Sequence, residues 1–284
     1  MTTQAQNHVD LFKMGYGETF KNNFKDSLSR THIYAFDADL TIPIKLNQKH
    51  ALISGVDYNS NKLQLYPEAE FSKLQSTTLK LGLASQWNEK WSSAIVLLPK
   101  FAAEKDLTDN FFMGILATAK MKKTDNFSWR FGLYASTEAY GIFTTPVIGW
   151  TYLSSNNNFE MDMSLPVKGD LNYKFGIMRL GADYLAIARS FELKAEENRN
   201  LYTDLSSLKF SAYVQMDALK ESLIVRAKIG YSSDKYEVYD SSEKKILKLS
   251  AFNFGDHRKQ LNPDIQPGPF FKIEAVYRFH TAAK

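Results

Sequence analysis

The ten residues Phe270–Phe279 constrain this chain more than any other stretch. Phe271, Ile273, Ala275, Tyr277 and Phe279 make one apolar row, and Phe270, Lys272, Glu274, Val276 and Arg278 make a second row carrying three charges. A strand sends successive side chains to opposite faces, so a strand here has one apolar and one largely polar face. A half-buried sheet in a soluble protein and the wall of a transmembrane barrel both satisfy that pattern. The rest of the chain has to decide between them.

Most of the sequence repeats the alternation. Phe111, Met113, Ile115, Ala117, Ala119 and Met121 alternate with Phe112, Gly114, Leu116, Thr118 and Lys120. The mirror pattern follows, with Phe127, Trp129, Phe131, Leu133 and Ala135 on one side and Ser128, Arg130, Gly132, Tyr134 and Ser136 on the other. Period-two alternation sustained over ten residues predicts strands. The same reading predicts strands near 9–16, 34–44, 52–58, 79–87, 91–101, 146–152, 180–189, 208–217 and 223–232. The stretch 159–175 reads as one very long strand or as two joined at Pro166–Gly169, and proline with glycine favours the turn. Within 233–268, Tyr236–Tyr239 and Ile246–Phe252 are expected to pair as a raised hairpin.

The connections alternate in length. Short turns fall near 46–49, 88–90, 123–126, 154–158, 175–179 and 219–222, and mostly longer links near 21–31, 59–75, 103–109, 138–143, 194–206 and 233–268. Short turns on one rim and long loops on the other mark an antiparallel up-and-down transmembrane β-barrel, with the short turns facing the periplasm and the longer loops extracellular. The count is 12–14 strands, with 14 preferred. The expected domain plan is an N-terminal tail (1–8), one barrel domain (9–279) with its long extracellular loop at 233–268, and a C-terminal tail (280–284).

Composition removes other classes. The 284 residues contain no cysteine, excluding a disulfide framework and a thiolate metal site. A net charge of +4 gives no ground for nucleic-acid binding, which needs a concentrated basic face. No run approaches 18 apolar residues, so a membrane-spanning helix is not expected, whereas barrel strands leave hydropathy unremarkable. The first residues lack a secretory signal, which an exported barrel requires, so the outer-membrane reading implies a processed or truncated chain.

Three features favour a lipid-facing apolar row. So many strands in a soluble domain would split into two sheets or repeat as blades, and no blade repeat is visible. The polar row carries Asp37, Asp39, Lys80, Arg130, Glu160, Asp162, Arg226, Lys228, Lys272, Glu274 and Arg278, charges suited to a wet lumen. Aromatic residues such as Trp87, Trp91, Phe127, Tyr152, Phe159, Tyr231 and Phe279 fall at predicted strand ends, as interfacial girdles require.

The phrases "PIKLNQKHALISG" (Pro43–Gly55), "GLASQWNEKWSSAIVLLP" (Gly82–Pro99) and "FSWRFGLYAS" (Phe127–Ser136) resemble an uncharacterised outer-membrane β-barrel family of the Bacteroidota, over most of the chain from about residue 30. That resemblance implies location and architecture but no activity. The last strand also resembles the C-terminal signal read by the barrel-assembly machinery, with Tyr277 and Phe279 as its aromatic positions. Such signals usually end the chain at the aromatic residue, whereas here five residues follow Phe279.

The expected partners are the outer-membrane bilayer, that machinery during biogenesis, and a further outer-membrane protein in one reading. Enzymatic activity and a cofactor are not expected. The five histidines, His8, His32, His50, His257 and His280, have no metal or triad spacing, and Asp256-His257 is the only adjacent acid–histidine pair. Asp37 and Asp39 share a face and suit a cation less well than they suit lumen Arg or Lys. A narrow channel for small polar or anionic solutes leads, a non-conducting structural or accessory barrel is the alternative, and a rim-sited hydrolase comes third.

Overall fold

A computed structural model describes residues 8–104, 110–193, 200–219, 221–243 and 245–280. Most of the N-terminal and C-terminal tails expected from the sequence lies outside these residues. Fourteen antiparallel strands form the wall: β1 (His8–Thr19), β2 (Tyr34–Lys45), β3 (His50–Leu63), β4 (Ser72–Gln86), β5 (Trp91–Ala103), β6 (Phe111–Lys122) and β7 (Phe127–Glu138), then β8 (Gly141–Leu153), β9 (Phe159–Leu165), β10 (Lys168–Phe175), β11 (Met178–Glu192), β12 (Leu201–Ala218), β13 (Leu223–Asp240) and β14 (Gly268–His280). Each pairs with the next, and β14 pairs with β1, so the barrel is closed. Closure gives every wall strand a partner on both sides.

The two rows of β14 settle which face is which. Ile273, Tyr277 and Phe279 are 49%, 48% and 52% exposed, whereas Glu274 and Val276 are 2% and 3% exposed. The apolar row points out of the barrel and the polar row into it. Outward Phe12 and Met14 on β1, Leu79, Leu81 and Leu83 on β4 and Ile229 and Tyr231 on β13 continue the apolar belt. Apolar exteriors over charged interiors reverse the soluble pattern and fit a wall bathed in lipid.

All six short turns lie where the spacing puts them, and the cut at Pro166 divides 159–175 into β9 and β10. Two expectations need correction. The link near 138–143 is only Ala139–Tyr140, and Tyr236–Tyr239 belong to β13, paired with β12 from Tyr202 to Leu205. Ile246–Leu249 pairs instead with Phe252–Phe254 and, in parallel, with Gly141–Thr144 of β8. Gly141 permits this approach: its φ of +130° suits glycine, and a Cβ there would collide with the Ile246 carbonyl oxygen.

Strand lengths differ sharply, and this shapes the mouth. β9 and β10 have 7 and 8 residues, whereas β12 and β13 have 18 each. β9 therefore pairs with β8 only over Ile148–Leu153, and β10 with β11 only as far as Leu185. In the notch above, the end of β11 crosses the lumen. Glu192 pairs with Ala103 of β5, and Ser190 donates to Glu138 of β7 at 2.7 Å. Arg189 reaches Ser76 of β4 at 2.7 Å.

Tyr213 on β12 lies over Gly181 on β11, and its hydroxyl donates to Asp170 at 2.8 Å. A Cβ at Gly181 would collide with the Tyr213 ring and with the Leu171 carbonyl. Gly181→Val is therefore expected to cost about 1–3 kcal/mol through overpacking, read as a lower urea midpoint of the folded barrel.

Candidate functional site: the lidded lumen

The long-loop end is closed by two layers. In the inner layer, the tops of β11–β13 bend over the mouth, and from Tyr202 to Leu205 both faces of β12 are buried. Their inner side packs with Phe24, Ile33, Leu63, Leu65, Leu74 and Ile265 in an apolar core that includes Leu205, Tyr236 and Val238. Large apolar side chains buried this way contribute about 1.5–3 kcal/mol each. Their outer side is covered by residues 245–262. Asn262 fixes this segment, accepting from the Val238 amide at 2.8 Å and donating to the Tyr236 carbonyl at 2.8 Å.

A buried ionic latch joins the layers. Lys248 Nζ is 2.5 Å from Asp204 Oδ2, and Arg258 Nη2 is 3.3 Å from the same oxygen. The Arg258 guanidinium lies 4.0 Å from the Tyr239 ring centroid and donates to the Tyr202 hydroxyl at 2.9 Å. Hydrogen bonds from Arg258 hold the Asp256 carboxyl below its ordinary pKa. Asp256 is thus engaged by Arg258, while His257 is exposed, so the one adjacent acid–histidine pair is not assembled as a catalytic couple.

Beneath the lid lies a cavity of about 510 Å³. Ile33, Leu205 and Tyr236 from the lid core form part of its lining, and carboxylates slightly outnumber basic side chains around it. Opposite charges are paired here. Glu274 sits among Lys228 at 2.8 Å, Lys272 at 3.0 Å and Lys13 at 3.6 Å. Lys272 also meets Asp37 at 2.6 Å, and Lys228 meets Asp183 at 2.5 Å. Arg226 lies 3.7 Å from Asp170, and Arg130 2.9 Å from Asp162. Arg179 meets Asp217 at 2.8 Å and Glu160 at 3.2 Å. Lys80 pairs with Asp39, and Arg278 reaches Asp10 on β1 at 2.6 Å.

The structure therefore places Asp37, Asp39, Lys80, Arg130, Glu160, Asp162, Arg226, Lys228, Lys272, Glu274 and Arg278 in inward ion pairs, while Tyr277 and Phe279 are exposed on the outer face. Asp37 and Asp39 serve different lysines, and among the described residues no group of three or more His, Asp or Glu side chains is placed to hold a metal ion. Residue-by-residue reading passed over Asp204, Lys248 and Arg258, whose partners lie 44–54 positions apart.

At the short-turn end a second cavity of about 580 Å³ is lined by β1–β6, with Arg130 contributed by β7. Lys45, Lys49, Lys120 and Arg130 line it together with small residues such as Ala51, Ala84, Ser92 and Ala94, and among the described residues no carboxylate lines it.

No family model matches this chain, and no curated protein matches it. The Bacteroidota resemblance thus has no counterpart in these comparisons, although the architecture it implied is the one observed. Among solved structures, a deltaS2S3 mutant of the TodX monoaromatic hydrocarbon channel is 10% identical, with a TM-score of 0.40, covering 95% of this chain and 91% of that one. The translocator domain of autotransporter NalP from Neisseria meningitidis is 8% identical (TM-score 0.36; 95% and 89% covered). OpdQ from Pseudomonas aeruginosa is 10% identical (TM-score 0.33; 98% and 99% covered). Likenesses this distant add nothing to the barrel already evident from its strand pairing.

Proposed function

We propose that this protein is a non-enzymatic outer-membrane barrel, its short turns in the periplasm, that forms a channel for small polar solutes held closed by its lid. The carrying observation is a 14-stranded wall whose charged lumen keeps a cavity of about 510 Å³ beneath the apolar closure. Barrels of 8 strands are filled by side chains, whereas those of 16 or more leave an aqueous channel. Lining charges set pore selectivity. The mixed lining, with Arg226, Lys228 and Lys272 near Asp37, Asp170 and Glu274, fits polar or zwitterionic solutes better than strictly anionic ones. In this reading the apolar belt contacts lipid, and Tyr277 and Phe279 present the aromatic positions read during assembly.

The second reading is a non-conducting barrel that docks another outer-membrane protein. It is favoured by a lid built from continuous strands rather than a lone loop. Planar-bilayer recording separates the two. Wild-type protein is expected to be nearly silent, and Lys248→Ala with Arg258→Ala, combined with Leu205→Ser and Val238→Ser in the inner apolar layer, is expected to give sustained currents. Charge neutralisation at Arg226 and Lys228 should then shift the ion selectivity. A folded variant with both layers opened and no current above the lipid background would overturn the channel and leave the docking barrel.

A further inference from the structure

The lumen wall repeatedly sets like charges directly opposite one another on adjacent strands, an unfavourable arrangement in itself. Lys228 faces Lys272, and Glu274 bridges both, at 2.8 and 3.0 Å. Asp39 faces Asp57, and these pair with Lys80 and Arg189. Asp170 faces Asp183, and these meet Arg226 and Lys228. In each case counter-charges from the wall itself complete the set.

Lys120 and Arg130 break this rule. They face each other across β6 and β7, and both line the cavity of about 580 Å³ at the short-turn end. Asp162 neutralises Arg130 at 2.9 Å, through Nη1. Among the described residues, Lys120 has no ion pair, and the Nε and Nη2 donors of Arg130 make no hydrogen bond. The cavity adds Lys45, Lys49 and the hydroxyls of Ser92 and Thr118, and among the described residues no carboxylate lines it. Ala51, Ala84 and Ala94 share the lining with the two cations.

We infer that this basic vestibule binds a small oxyanion, of the phosphate, sulfate or carboxylate class, between Lys120 and Arg130. The anion supplies the counter-charge that the wall supplies at every other facing pair described above. Arg130 offers forked donors to such a group and Lys120 a point charge. The site stands whether or not the barrel conducts, because it depends on the short-turn vestibule and not on the lid.

The test is titration of the detergent-folded barrel with inorganic phosphate, followed by calorimetry and by the urea midpoint. Sulfate and succinate are run in parallel, with chloride at matched ionic strength as the control for screening. Saturable binding with a raised midpoint is expected for wild type. Lys120→Met should weaken binding at least tenfold, and Lys120→Glu, which pairs internally with Arg130, should abolish it without lowering stability in phosphate-free buffer. Lys90→Met, on an exposed turn, should bind as wild type does. The site is overturned if wild type shows no saturable binding, if chloride stabilises as much as phosphate, or if both Lys120 variants, folded by gel mobility, bind like wild type.

Discussion

Replacing Asp204 by alanine is expected to release the lid while leaving the barrel closed below it. The carboxylate is fully buried and serves both Lys248 and Arg258, whose side chains are 4% and 1% exposed. Removing one partner of a buried ionic set leaves the others charged and desolvated, at a cost of about 3–5 kcal/mol. That cost falls on the contact of residues 245–262 with the β12–β13 tops and with Tyr140 of the β7–β8 turn, whose ring lies 4.5 Å from Lys248 and 5.7 Å from Arg258. Amide exchange at Ile246–Leu249 and at Leu261 should accelerate on the order of a hundredfold or more. Amides of β1–β6 should keep wild-type protection. Lys248→Met should have a smaller effect, since Arg258 still engages Asp204. Unchanged exchange in the Asp204→Ala variant would show that apolar packing alone holds the lid.

The second large effect is expected at Glu274. This one carboxylate, 2% exposed, lies within 3.6 Å of Lys13, Lys228 and Lys272. Glu274→Ala leaves three lysines crowded on adjoining strands β13, β14 and β1, with Asp37 and Asp183 already engaged by two of them. A loss of about 3–5 kcal/mol in barrel stability follows from that uncompensated burial, enough to threaten folding of a marginal protein. Urea unfolding in micelles measures the loss. Glu274→Gln keeps the shape and hydrogen-bonding capacity but not the charge, so it should fall between alanine and wild type. Equal midpoints for alanine and wild type would remove the network from any role in stability.

The barrel wall was largely legible in the sequence because lipid on one side and polar groups on the other impose period two on most strands. Lys272, Glu274 and Arg278 could be assigned to one face from alternation alone, and the turn residues at 46–49 and 123–126 marked their hairpins. The lid was not legible, for a definite physical reason. Tyr202, Thr203, Asp204 and Leu205 are buried on both faces, so no alternation distinguishes them from a loop. The parallel pairing of Ile246–Leu249 with Gly141–Thr144 joins segments about a hundred residues apart, where no local pattern reports it. Lys120 was placed on the polar row, but its position opposite Arg130 depends on the β6–β7 register.

The most direct measurement of the central claim is lipid accessibility along β14. The chain has no cysteine, so single variants from Phe270→Cys to Tyr277→Cys can be spin-labelled in bilayers without background. Labels at 271, 273, 275 and 277 should be accessible to oxygen dissolved in the membrane, and those at 270, 272 and 276 shielded from it, with Glu274 left in place as the counter-charge of three lysines. Loss of this two-residue alternation, or water accessibility at the odd positions, would contradict a wall whose apolar row faces lipid.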